Sequence, residues 1–194
     1  FEYYFTRSSL LSGAVFYKNV SNFIATNSTQ AIIPGFESLG EVRITRPDNI
    51  ASAKVKGIEL GIQHFFDSLP EPFDGFGVLA NYTYVDAKDS NGNPLVATSK
   101  SSYNITALYE KGPWKGRLAY NWRDDAVFEF TQGRPDFIKS RSQLDAQFGY
   151  QLTDNVSLSL QGQNLMPKKS ATIEFANFNT DALNSYALSE RRIS

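Results

Sequence analysis

Three neighbouring stretches decide the fold: FGVLANYTYVD at 76–86, SSYNITALYE at 101–110 and GRLAYNWRDD at 116–125. In the first, Phe76, Val78, Ala80, Tyr82 and Tyr84 alternate with Gly77, Leu79, Asn81, Thr83 and Val85, so one side is apolar and aromatic and the other smaller and more polar. In the second, Tyr103, Ile105, Ala107 and Tyr109 oppose Asn104, Thr106, Leu108 and Glu110. In the third, Leu118, Tyr120 and Trp122 oppose Arg117, Ala119, Asn121 and Arg123. A period of two is the mark of a strand, and the KGPWKG turn between the second and third predicts an antiparallel pair. A soluble sandwich buries the apolar side and a lipid-embedded barrel presents it outward, so alternation alone does not choose.

Strand length and connection length choose. Working outward, FEYYFT at the start meets SGAVFYKNVSNFIAT through a tight segment at Arg7, Ser8 and Ser9. SAKVKGIELGIQHFFD turns into the 76–86 run through LPEPFDG. RSQLDAQFGYQL reaches NVSLSLQGQNL through Thr153 and Asp154, and a last strand is expected from SYALSERRIS, cut short at its end. The other connections, at 26–52, 87–98, 124–136 and 166–183, are long and rich in turn residues such as Pro34, Gly35, Gly92 and Pro94, and each reads as an irregular excursion. Short turns at one end of the strands and long loops at the other are the asymmetry of transmembrane barrels. The runs exceed the five or six residues usual in globular sheets and suffice to cross a bilayer at a tilt. Tyr84, Tyr103, Tyr109, Trp114, Trp122 and Tyr150 sit near the ends of the apolar faces, where interfacial aromatic girdles belong. The expected fold is an all-β, antiparallel transmembrane barrel segment of about nine strands.

Composition removes several function classes. The 194 residues include no Cys, so there is no disulfide framework and no thiolate metal site or nucleophile. A net charge of −1 lacks the basic excess of nucleic-acid binders. No run of 18 apolar residues offers a spanning helix. The single His64 lies on the apolar side of its run and reads as an interfacial aromatic, so no catalytic triad assembles and no enzyme, cofactor or metal centre is expected. The chain opens inside a strand-like run without a leader pattern, so a start in mid-domain is expected.

The runs AKVKGIELGIQHFFD, GFGVLANYTYVDA, SYNITALYEKGPWKGRLAYNWRDD, LDAQFGYQLTDNVSLSLQGQNLM and SERRIS together resemble the C-terminal barrel region of TonB-dependent outer-membrane receptors, and the likeness covers nearly all of residues 1–194. The resemblance implies a 22-stranded barrel around an N-terminal plug, of which this chain would be the last part. It carries neither a plug-like segment nor an energy-coupling box, and Ser194 replaces the aromatic residue that usually closes the family's chains. It implies, further, an active importer in the outer membrane of a Gram-negative bacterium, in contact with lipid and lipopolysaccharide, its own plug, the TonB complex and a small-molecule solute. An oligosaccharide is favoured over an iron–siderophore complex, with a passive porin as the alternative.

Function is then expected on the polar side of the strands. Glu59, Asn81, Asn104, Glu110, Arg117, Asn121, Arg123, Asp145, Gln147 and Gln161 face the lumen in this register, available to solute, plug or water. Nearest the long loops, Asp86, Asn121 and Arg123 are the candidates for solute contact, joined by Arg134 and by Phe128 and Phe130, whose rings can stack on a sugar or pack the loop. Asp124 and Asp125 point to opposite faces if the strand continues, which favours a solvated loop entrance over a Ca²⁺ site. Lys168, Lys169, Arg191 and Arg192 read as a solvated rim, with acidic lipopolysaccharide as their other reading.

Overall fold

The computed structural model describes residues 1–131, 134–166, 169–176, 181–188 and 190–193. Strands β1 (Glu2–Thr6), β2 (Ser9–Ala31), β3 (Val42–Phe65), β4 (Phe76–Asp89), β5 (Ser101–Lys111) and β6 (Trp114–Arg123) follow one another as antiparallel neighbours. Two short strands, β7 (Ala126–Thr131) and β8 (Arg134–Ile138), interrupt the series before β9 (Arg141–Thr153) and β10 (Val156–Gln163). After β11 (Lys169–Ala176) and β12 (Asp181–Leu188), the two-residue β13 (Arg192–Ile193) returns to the main sheet. The described strands form a nine-stranded sheet, β1-β2-β3-β4-β5-β6-β9-β10-β13, and a four-stranded one, β12-β11-β8-β7.

Register is unbroken across the centre. Leu60, Tyr82, Tyr103, Trp122 and Ser142 fall in one cross-strand row, and His64, Val78, Ala107, Leu118 and Ala146 in another. Because the side-chain period is two, these rows share a face, and a slip of one residue would exchange the whole apolar set for the polar one. The apolar face is left uncovered: Ile58, Leu118 and Leu160 are 44%, 48% and 58% exposed. Among the described residues the buried apolar side chains of this sheet are only Ala53, Ala87 and Ala119. A single sheet with a continuous bare apolar face has the wrong solvent in water and the right one in lipid.

Aromatic contacts mark the edges of that face. Tyr103 stacks on Trp122 with centroids 5.1 Å apart, and Trp114 packs against Tyr150 at 4.3 Å and Phe148 at 5.6 Å. Trp114 and Trp122 bound β6, about 27 Å apart along the strand and about 20 Å along the bilayer normal at a tilt near 40°, close to an apolar band of about 25 Å. His64 completes the tier near the short turns: its Nδ1 lies 2.8 Å from Ser9 Oγ, and its ring sits between Phe5 and Phe66.

The excursions depart from the sequence expectation. The 26–52 segment is no irregular loop; β2 and β3 run on as a two-stranded ribbon, paired from Val20↔Ala53 to Ala31↔Val42, with the turn confined to 32–41. Pairing of β3 with β4 stops at Ala53↔Asp89, so Pro47 falls where β3 has one neighbour, the edge position that proline tolerates. The 124–136 and 166–183 segments likewise contribute strands, which pair with each other in the second sheet. Nor does the closing strand begin at SYAL: Ser185 and Leu183 pair with β11, and only Arg192 and Ile193 pair with β10, opposite Gln163 and Gly162. Asn164, 8% exposed, ties this closure together. Its backbone N–H donates to Asp145 Oδ1 at 2.8 Å and its Nδ2 to the Glu190 carbonyl at 3.0 Å, while Arg191 donates to the Leu165 carbonyl.

Candidate solute-binding wall

The inward face is built in rows. Gly61, Asn81, Asn104, Asn121 and Gln143 occupy one register row across β3, β4, β5, β6 and β9. Asn81 Nδ2 donates to Asn104 Oδ1 at 3.1 Å, which orients the Asn104 amide nitrogen away from its neighbour. One row toward the short turns, Thr106, Ala119 and Asp145 follow, with Asp145 accepting from Gln143 Nε2 at 3.0 and 2.9 Å. Further down, Arg117 pairs in register with Gln147, and Glu110 with Lys115, whose ammonium lies 3.1 Å from the Glu110 carboxylate. Hollows open along this face, about 670 Å³ beside Arg117 and Gln147 and about 500 Å³ beside Glu59, Asn81 and Thr83.

The candidate residues separate into three groups. Asn121 and Arg123 lie on the inward face as expected, in adjacent rows. Asp86 does not join them. It pairs in register with Lys56, in the series of Tyr82 and Tyr84, and therefore points outward beyond the aromatic tier. There Lys56 Nζ and Lys88 Nζ approach its carboxylate at 3.4 and 3.7 Å. The sequence placed Asp86 by its nearness to a loop, whereas its even number in an unbroken strand fixes its face. Phe128 and Phe130 sit on β7, Phe128 at the register shift between Val127 and Glu129 and Phe130 past it, and belong to the second sheet. Arg134 begins β8 opposite Thr131, and its side chain lies outside the described residues.

The second sheet is moored to the wall. Ala97 N–H donates to the Val127 carbonyl at 2.7 Å, Ser99 Oγ to the Asp124 carbonyl at 2.9 Å, and Ser99 bridges to Ala126. Ala126 and Val127 are each 3% exposed. Asp124 and Asp125 serve this junction: Asp124 Oδ1 accepts from Asp125 N–H, and Asp125 accepts from Ser140 N–H at 2.6 Å with Lys139 Nζ at 3.5 Å. No group of acidic or His residues able to hold a metal ion occurs among the described residues. Lys168 lies outside the described residues, as does the Lys169 side chain, while Arg191 and Arg192 are exposed at the closure. In the turn of the β2–β3 ribbon, the Gly35 N–H donates to Glu37 at 2.9 Å and holds that carboxyl below its usual range.

Beside this open antiparallel sheet with its bare apolar face, aromatic tiers and polar inner face, the sequence matches the family model "TonB dependent receptor-like, beta-barrel" over residues 1–165. The chain belongs to the TonB-dependent receptor β-barrel family. Its fold is shared with solved receptors of low identity. The ferric enterobactin receptor PfeA of Pseudomonas aeruginosa aligns with a TM-score of 0.70 at 18% identity, covering 99% of this chain and 29% of that one. The siderophore receptor PiuA of Acinetobacter baumannii gives 0.61 at 19%, covering 96% and 25%, and the copper transporter OprC gives 0.62 at 17%, covering 88% and 24%. This TonB-dependent receptor segment thus spans about a quarter of the length of these structures. No protein of curated function matches it in sequence. The segment is therefore receptor barrel wall.

Proposed function

We propose that residues 1–194 are the C-terminal wall of an active importer in the outer membrane of a Gram-negative bacterium. The remainder of that receptor supplies the plug, the other strands and the contact with the TonB complex. The observation that carries this reading is the division of the strands: β6 sends Leu118, Tyr120 and Trp122 to the apolar face and Arg117, Asn121 and Arg123 to the inner face. The long excursions leave the sheet at one end and face outside the cell, where a solute arrives first. The inner face receives a small polar solute and the outer face meets lipid and lipopolysaccharide. Rows of amides suit an oligosaccharide, the solute class that the sequence resemblance favours. The solved neighbours include receptors for siderophores and a copper transporter, which keeps a metal chelate as the second class.

The test is growth on a panel of oligosaccharides and ferric chelates as sole carbon or iron source, in cells expressing the intact receptor with or without functional TonB. Growth that requires both receptor and TonB is expected on at least one compound. Growth that requires the receptor but survives loss of TonB would replace the active importer by a passive porin.

A further inference from the structure

One row above the amides, β5, β6 and β9 bring Ser102, Arg123 and Arg141 into register: Ser102 pairs with Arg123, and Arg123 pairs with Arg141. Directly opposed residues of an antiparallel pair stand with Cβ atoms about 4.5–5.5 Å apart, and like charges there are destabilising. Such a pair calls for a counter-charge, and the neighbouring acids are committed elsewhere. Asp145, on the same face of β9, is occupied by Gln143 Nε2 and Asn164 N–H. Asp125 is held by Ser140 N–H and Lys139, and Asp124 caps Asp125 N–H. Glu59 shares the row through Thr83 and Ser102, but it lies three strands from Arg123, roughly 14 Å at the usual interstrand spacing. Among the described residues neither guanidinium has a salt bridge.

The two cations border a hollow of about 240 Å³ whose lining includes Ser102, Asn104, Asn121 and Gln143. With Asn104 Oδ1 engaged by Asn81, the Asn104 Nδ2 donors remain for the hollow, beside the Asn121 amide and the Ser102 hydroxyl. Two guanidinium forks over a floor of amide donors make a donor set for an oxyanion. Arginine matches planar carboxylates and tetrahedral phosphate or sulfate with paired N–H donors, and the charge assistance makes these bonds about twice as strong as neutral ones.

We infer that Arg123 and Arg141 form the inward-facing binding site for an oxyanion group of the transported solute, a carboxylate, sulfate or phosphate. This rests on the proposal that the inner face is the solute path, and it narrows the solute from a neutral oligosaccharide to an acidic sugar or an anionic chelate. Asn104, Asn121 and Ser102 position the group between the two arginines. Of the two arginines, the sequence pointed only to Arg123. Arg141 was missed because it opens a strand after an excursion, and only the register of β6 with β9 sets it opposite Arg123.

Calorimetric titration of the intact receptor in detergent tests the site, with citrate as the carboxylate probe, inorganic pyrophosphate as the phosphate probe and maltotriose as the neutral control. At least one anion is expected to bind, with affinity falling as salt rises. Arg123→Gln and Arg141→Gln should each weaken it tenfold or more, and Arg141→Lys less than Arg141→Gln. Unchanged heat-modifiable mobility of each variant shows that the barrel has folded. The assignment is overturned if neither anion binds, if both Gln variants bind as the parent does, or if maltotriose binding falls equally with them. Anion binding lost in the Gln variants alongside TonB-independent growth removes active import and keeps the site. TonB-dependent growth with anion binding untouched by the substitutions removes the site and keeps active import.

Discussion

Strand β6 and the outer half of β3 are both extended chain, yet they are held by different means. β6 has a neighbour on each side, β5 and β9, and every residue from Trp114 to Arg123 has a partner across both ladders. From Val42 to Ser52, β3 pairs only with β2, and the ribbon's turn at 32–41 leaves Ile32, Phe36 and Leu39 exposed. In the wall, each side chain is assigned a solvent, lipid or lumen, by its parity. In the ribbon most of the described side chains are exposed whatever their parity, and parity assigns nothing. Substitutions in the wall should therefore act through the face they occupy, and those in the ribbon through local backbone geometry.

The largest effect should come from putting a charge on the apolar side of the wall. Leu118→Arg places a guanidinium in the middle of the lipid band, at a cost of about 2–4 kcal/mol near the midplane. Asn121→Arg, three residues along the same strand, adds the same group to the inner face and should leave folding within about 0.5 kcal/mol. Denaturant unfolding in lipid vesicles, read by heat-modifiable mobility, measures both. Equal destabilisation would erase the distinction between the faces of β6.

The same contrast explains what the sequence could tell. The alternation of 76–86, 101–110 and 116–125 was legible because a wall strand obeys one rule from end to end, and the rows of Asn81, Asn104 and Asn121 follow from it. Asp86 obeys that rule too; weighing its nearness to a loop above its parity misplaced it. The excursions were illegible for a physical reason. Segments 124–136 and 166–183 form strands by pairing with each other, a long-range event to which no local period in Phe128, Phe130 or Ser185 is tuned. The ribbon of β2 and β3 carries Pro47, Asp48 and Asn49, which read as breakers in a paired sheet and are permitted on an edge.

Two glycines sharpen the contrast at the next size of effect. A Cβ on Gly57, in the wall, would meet Phe16 Cζ at 2.5 Å and the Tyr84 carbonyl, so this glycine exists to let a ring and a strand approach. Gly35, in the ribbon turn, has nothing within 4 Å but holds φ at +87°. Gly57→Val should cost about 1–3 kcal/mol through overpacking, and Gly35→Ala about 1–2 kcal/mol through left-handed backbone strain, confined to the turn. Vesicle unfolding should register the first, and the second should leave the global transition in place while raising proteolysis at 32–41. A global shift from Gly35→Ala as large as that from Gly57→Val would mean that the ribbon is part of the wall's cooperative unit.

The smallest effect belongs to the ribbon alone. Glu37 accepts the Gly35 N–H, and that bond holds its carboxyl below the usual glutamate range. A carboxyl depressed in the folded state contributes stability that is fully present above its unfolded pKa and is lost as pH falls through the folded one. Hydrogen exchange in a peptide covering 32–41, corrected for intrinsic rate, should therefore show steady protection above about pH 4.5 and declining protection below it. Glu37→Gln keeps an acceptor oxygen but removes the titration, so its weaker protection should be flat over the same range. Peptides from 114–123 should also stay flat and well protected, because their bonds lie in ladders paired on both sides. A flat wild-type profile at 32–41 would show that the Glu37–Gly35 bond does not hold the turn, and a wall peptide that titrated with it would join the two regions that the sheet topology separates.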